Sequence, residues 1–228
     1  MSLDWAIRYA PIIRFIKSQR PSSVLEVGSG PQGLAYYLRD VHIVGTDLRF
    51  GDLPLKNIRP VIASSTALPF RENAFDMVIS SDMMEHLPEK LRSFAMNEML
   101  RVANKIVVVG FPSGPIAKEH DLALSSHIKS RGMKLPIWLG EHLENEYPNS
   151  ESVLRGLPLA SMRCRVVGNA NWRLHKTVVL LQMHYYFNRV VRFFRLDSMN
   201  LMIVLGRFLD WGQTYREIIF LEAKDPLR

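Results

Sequence analysis

The run Val24-Leu25-Glu26-Val27-Gly28-Ser29-Gly30-Pro31-Gln32-Gly33 constrains this chain more than any other. A short apolar run ending in glycine reads as a buried strand feeding a tight turn. Glycines at Gly28, Gly30 and Gly33 let the backbone turn sharply and approach a ligand with no Cβ in the way. Further strands are expected at 42–46, closed by Asp47, and at 61–63, 75–80 and 105–110. The last of these is continuously apolar, as in a sheet covered on both faces. Residues 33–39 and 91–102 read as helices, and 1–20 as an amphipathic helix broken by Asp4, Arg8, Arg14 and Lys17. Gly51, Pro54 and Pro60 argue for a loop between Asp47 and the third strand. Strands alternating with helices predict a mostly parallel α/β sheet.

The glycine motif is also a literal G-x-G-x-x-G, with an acidic residue, Asp47, closing the next strand. That is the dinucleotide fingerprint as well, so alone it does not choose between NAD and S-adenosylmethionine. Three features bear on the choice. Glu26 lies two residues before Gly28, where a carboxylate can help hold an ammonium group and would repel a pyrophosphate. Ala67-Leu68-Pro69-Phe70 is followed by Asn73-Ala74-Phe75-Asp76-Met77-Val78. Then comes Ser80-Ser81-Asp82-Met83-Met84-Glu85-His86-Leu87-Pro88.

With those motifs in this order, residues 24–112 resemble the class I methyltransferases of the type-11 group, which includes quinone-biosynthesis methyltransferases. The resemblance implies S-adenosylmethionine as cofactor. Gly28, Ser29 and Gly30 would line its methionine end with Glu26 beneath them, and Ser81 would face that end from the fourth strand. Asp47 would accept from both ribose hydroxyls, and Leu48 would pack on the adenine. Ser64 and Ser65 stand where the family commonly has an Asp-Ala pair, so an uncharged hydroxyl replaces the carboxylate that meets the adenine amino group. The resemblance also implies a Rossmann-like α/β fold. Its seven-stranded sheet would have helices on both faces, an antiparallel last strand and a helical insert near the C-terminus. Residues 1–228 are read as a single domain, with the insertion at 171–213.

Glu85 and His86 are the candidate general base or acceptor contact; a hydrogen-bonded structural role for His86 is the alternative. Asp82, Glu85 and His86 also suggest a divalent cation, but a fourth ligand is not evident, and no metal is expected. Trp138-Leu139-Gly140-Glu141-His142-Leu143 resembles a segment of bacterial type-11 enzymes associated with glycosyl-transfer and cell-envelope genes. It makes Glu141 and His142 candidates for acceptor contact or loop stabilisation. The expected reaction is methyl transfer to an O, N or C nucleophile of a small-molecule, lipid-like or glycan-type acceptor. The alternatives are an NAD-dependent oxidoreductase, a non-catalytic cofactor-binding protein and, ranked lower, an RNA methyltransferase.

After Pro112 the pattern loosens. Gly132, Pro136, Gly140 and Pro148 predict short helices and loops, and Ser150 is read as an N-cap. Strands are expected at 163–167 and 218–223. The formal charge of +7 is concentrated: between Arg155 and Arg216, ten lysines and arginines face only Asp197 and Asp210. In 176–196, Asn188, Arg189, Arg192 and Arg195 make a polar, cationic stripe on a helix whose remainder is apolar and aromatic. Such a face packs on a core or partner, or lies in a membrane interface; the favoured expectation is a substrate-covering helical insert that also has the chemistry to touch an anionic membrane surface. The lone Cys164 excludes an intramolecular disulfide and fits a reducing, cytoplasmic setting, peripheral to the membrane. Neither a signal peptide nor a spanning helix is expected.

Overall fold

A computed structural model describes residues 2–38, 41–51 and 57–224. The strands are β1 (Val24–Val27), β2 (Ile43–Asp47), β3 (Ile58–Ile62), β4 (Phe75–Ser81), β5 (Ala103–Pro112), β6 (Met162–Asn171) and β7 (Thr214–Ala223). They form one sheet of order β3-β2-β1-β4-β5-β7-β6. The first five pair in parallel, and β7 runs antiparallel to both β5 and β6. The chain winds outward from β1 to β3, then returns to β4 on the other side of β1. That reversal opens a crevice at the carboxyl ends of β1 and β4, where ligands bind in open α/β sheets.

The helices are α1 (Leu3–Gln19), α2 (Glu89–Val102), α3 (Gly114–Ser130), α4 (Ile137–Glu144), α5 (Ser150–Leu154), α6 (Trp172–Gln182), α7 (Tyr185–Phe193) and α8 (Met199–Leu209). Alternating strand side chains split the core between the two faces of the sheet. Leu25, Val27, Val78, Val107 and Val109 pack with Ala95, Met96 and Met99 of α2. Val24, Met77, Ile79 and Val108 pack with Ile12, Ile13 and Ile16 of α1.

Helix α1 starts at Ser2, whose Oγ accepts from Trp5 N at 3.3 Å. It carries Pro11 in its interior, where the missing N–H frees the carbonyl four residues earlier. That carbonyl, Ile7 O, accepts instead from Asn169 Nδ2 of β6 at 3.4 Å.

Several expectations shift. The helix expected at 33–39 is only a 3-10 turn, Leu34–Tyr36, and Arg39 lies outside the described residues. Strand β3 begins earlier than expected, at Ile58, while 52–56 of the expected loop fall outside the described residues. The short helices expected after Pro112 include one of 17 residues, α3. Its inward face includes His120, Asp121 and Ser125, and these buried polar groups conceal the helical period. The cap of α5 is Asn149, not Ser150: Asn149 Oδ1 accepts from Ser152 N at 2.8 Å, and Ser152 Oγ accepts from Asn149 N at 3.2 Å. Between β6 and β7 the chain runs through α6, α7 and α8. The one helix expected over 176–196 is broken near His184, where Asn188 Nδ2 donates to the carbonyls of Gln182 and His184.

Candidate active site

The glycine turn is held from below. Gly28 N and Ser29 N donate to Thr46 O at 2.8 and 3.1 Å, tying the end of β1 to the end of β2. Gly30 N donates to Asp47 Oδ2 at 2.8 Å. Gly33 has φ +42°, and a Cβ there would fall 2.1 Å from Glu26 Oε2. Glu26 is fully buried, and its two oxygens accept from Tyr9 Oη at 2.9 Å and Leu34 N at 2.7 Å. It therefore joins α1 to the far end of the turn and does not line the cavity. Direct contact with an ammonium group, the reason Glu26 was singled out, finds no support in this placement.

Above the turn lies a cavity of about 460 Å³. Gly28, Ser29, Gly30, Asp47, Leu48, Ser65 and Ser81 line it, as do Trp5, Arg8 and Tyr9 of α1. Ser64 is not in the lining: its Oγ is engaged with Thr66 Oγ1 at 2.8 Å, inside its own turn.

The residues present fit S-adenosylmethionine. Ser81 Oγ is buried at the wall with no hydrogen-bond partner among the described residues. Asp47 Oδ1 receives only a 3.4 Å contact from Arg49 N, which leaves acceptor capacity for a ribose. Leu48 is 72% exposed at the rim, an apolar plate for a purine.

Glu85 and His86 part company. On the 3-10 turn Met84–His86, successive side chains point in different directions. Glu85 goes inward, is 1% exposed and lines neither of the two cavities of the site, so the expected acceptor contact through Glu85 finds no support. Burial, then the charge of Asp82, pushes its carboxyl well above the usual range. His86 goes outward, and its Nδ1 lies 2.7 Å from Glu141 Oε2. Against a carboxylate that nitrogen donates, so Nε2 keeps its lone pair. Burial, with His142 nearby, lowers the affinity of His86 for a second proton.

The structure also supplies a ligand that was not evident from spacing. Glu85, His86 and His142 each offer one atom, all within 4.8 Å of one another, a set able to hold a divalent ion. Asp82 is diverted elsewhere. It accepts from Arg8 Nη1 at 2.8 Å and from Arg216 Nη2 at 2.9 Å.

A second cavity, about 450 Å³, adjoins the first and shares Trp5, Arg8, Asp82 and His86 with it. Its wall includes Trp138, His142, His175, Tyr215 and Arg216, with Leu124, Val179 and Met183 as apolar surface. Asp121, fully buried behind it, accepts from His120 Nδ1, His142 Nδ1, Tyr147 Oη and Tyr215 Oη at 2.7–3.0 Å. Burial would raise that carboxyl, but the four donors hold it well below its ordinary value. The bond to Asp121 fixes the His142 tautomer and turns Nε2 toward Glu85, 3.5 Å away. Spacing could not reveal this network, because its members come from α3, α4, the loop after α4 and β7. Of its members the sequence singles out only His142.

A glycine turn answered by an acidic strand end, at the reversal of a seven-stranded sheet with an antiparallel last strand, defines the class I methyltransferase fold. Residues 25–106 match the family described as a methyltransferase domain, the type-11 group. Over those residues the chain is similar to the class I S-adenosylmethionine-dependent methyltransferases of that group. It is 28% identical over 125 residues to phosphoethanolamine N-methyltransferase 1 of Arabidopsis thaliana, covering 49% of this chain and 25% of that protein. It is 33% identical over 124 residues to an uncharacterized methyltransferase of Mycolicibacterium gilvum, covering 49% of this chain and 48% of the other. The chain thus spans between a quarter and a half of the length of these relatives. The plantazolicin methyltransferase BamL, solved with a triazolic desmethylPZN analog and SAH, shares the fold with a TM-score of 0.60 at 11% identity, over 98% of this chain and 86% of that one.

Proposed function

We propose that this chain transfers a methyl group from S-adenosylmethionine, held in the first cavity, to a nucleophile seated in the second. The observation that carries the reading is the shared boundary: Trp5, Arg8, Asp82 and His86 face both spaces. Bound S-adenosylmethionine supplies an electrophilic methyl on a sulfonium. The protein's task is then to position the acceptor and, where the attacking atom is a hydroxyl oxygen, to take its proton. His86 meets the second need, because Glu141 holds its Nδ1 as a donor and leaves Nε2 basic at the boundary.

The acceptor we infer is a small molecule of lipid-like or glycan type, attacked at O, N or C. Trp138 offers a ring for a sugar or other flat surface, and Leu124, Val179 and Met183 offer apolar contact. Arg8 and Arg216 are already neutralised by Asp82 and Asp4, so the wall is not arranged for a strongly anionic polymer. The reading carries a cytoplasmic setting with it. Glu26 does not argue against NAD, since it lies beneath the turn; the family match does.

Parallel calorimetric titrations with S-adenosylmethionine, S-adenosylhomocysteine and NAD test the cofactor half. Binding of the first two and not NAD is expected; binding of NAD alone would overturn the proposal. Transfer of labelled methyl to free and lipid-linked glycans tests the other half. Cofactor binding without transfer to any acceptor in a broad screen would point to a non-catalytic binding protein instead.

A further inference from the structure

Helices α7 and α8, and Trp211 just after α8, turn aromatic and aliphatic side chains outward. Tyr186 is 79% exposed, Phe193 80%, Phe208 74% and Trp211 64%. On α7 only Val191 is buried, and Tyr185, Arg189 and Phe193 follow one another at four-residue spacing along the outward stripe. Arg189 lies over the Tyr185 ring, 5.8 Å from its centroid. Arg192 and Arg195 are exposed beside that stripe. No acidic residue occurs between Lys176 and Leu196. A run of large exposed apolar groups is something a free surface avoids.

We propose that the outward stripe of α7, with the exposed apolar groups at the end of α8, docks on an anionic lipid surface. Aromatic rings and arginines together suit the headgroup level of a bilayer, where rings bury their apolar bodies and guanidinium groups meet phosphate. The competing occupants fit worse. A second copy across a two-fold axis would bury this cationic patch against the same patch, with no acidic residue in 176–196 to answer its arginines. A nucleic-acid duplex would accept the arginines on its phosphates but give Phe193, Phe208 and Trp211 no apolar layer to enter. Docking would also orient the second cavity. Val179, Gln182 and Met183 at the end of α6 line that cavity, and α7 begins two residues after Met183. The cavity rim would then stand at the headgroups, positioned to receive an acceptor from the bilayer. This last step rests on the methyl-transfer reading; the docking itself does not.

The test is co-sedimentation of the full chain with vesicles of phosphatidylcholine alone and of phosphatidylcholine mixed with phosphatidylglycerol, at low and high salt. Salt-sensitive binding to the mixed vesicles only is expected. Arg189→Gln with Arg192→Gln should weaken it about thirtyfold, on the order of a few-fold per arginine removed. Phe193→Glu with Phe208→Glu should abolish it. Both pairs are solvent-facing, so unchanged thermal unfolding and unchanged S-adenosylhomocysteine binding are expected and serve as the folding control. Absence of vesicle binding by the parent chain would overturn the proposal, as would equal binding to both vesicle types. A concentration-dependent dimer lost in the Phe193→Glu, Phe208→Glu variant, without vesicle binding, would assign the face to a second copy and overturn it too. Vesicle binding by a chain that fails to bind S-adenosylhomocysteine would sustain the docking and sink the methyl-transfer reading.

Discussion

Burial pushes the carboxyl of Glu26 up to about 7, against the opposing pull of Leu34 N–H and the Tyr9 hydroxyl. The unfolded chain would release that proton near the ordinary value of 4.5. Between those values the folded form keeps a proton that the unfolded form has lost. Stability contributed by this residue therefore falls as pH rises through the window. The full cost, about 3 kcal/mol at roughly 1.4 kcal/mol per pH unit, is present above it. Glu26→Gln keeps an acceptor for Leu34 N–H and removes the charge. Thermal unfolding of the two proteins across that window should show a decline in the parent that is flattened in the variant. Parallel profiles would mean Glu26 titrates normally. Asp47 makes a second prediction at this scale, because it both holds Gly30 N and faces the cavity. Asp47→Ala should weaken S-adenosylhomocysteine binding by about 10- to 100-fold, since a hydrogen bond to a charged group is worth about 1.5–3 kcal/mol. Calorimetry that returned the parent affinity would remove Asp47 from the site.

Helix α1, the end of β4 and β7 are joined by buried charge. Arg216 reaches both oxygens of Asp82 at 2.9–3.1 Å and Asp4 Oδ1 at 3.4 Å, while Arg8 takes Asp82 Oδ2 from the other side. Burial works against the charge of Arg216, but Asp82 and Asp4 hold it protonated. Breaking such a pair by removing one member leaves an uncompensated buried charge and costs about 3–5 kcal/mol. Arg216→Met should lose that much in denaturant unfolding, and Asp82→Asn added to it should restore part of the loss. A parent-like midpoint for Arg216→Met would show that the cluster relaxes freely. None of this was legible in the sequence, where Asp4 and Arg8 read as interruptions of an amphipathic helix and Arg216 falls just before the strand expected at 218–223. The parallel strands were legible because their apolar runs and glycine ends are local signals. Helix α3 was not, because His120, Asp121 and Ser125 face inward for reasons that lie on other elements.

At the scale of the molecule, the cofactor half of the site was readable because the turn after β1 and the acid at the end of β2 are each continuous in sequence. The acceptor half was not, since its wall is assembled from α1, α3, α4, α6 and β7. That assembly has a consequence for ligand response. Trp5, Arg8 and Tyr9 bring α1 to the first cavity, while Ile12, Ile13 and Ile16 of the same helix fill the core beneath the sheet. A ligand in the cavity therefore touches a helix that the whole fold depends on. Any ligand that binds only the folded form stabilises it by about 2.7 kcal/mol at a hundred times its dissociation constant. For a chain of this size that is a rise of about 5–11 °C in the unfolding midpoint. S-adenosylhomocysteine should produce that rise, and in hydrogen exchange it should slow amides of α1 together with those of Gly30 and Leu48. Slowing confined to the glycine turn and Leu48, with α1 unchanged, would mean that α1 only flanks the cavity and does not close it.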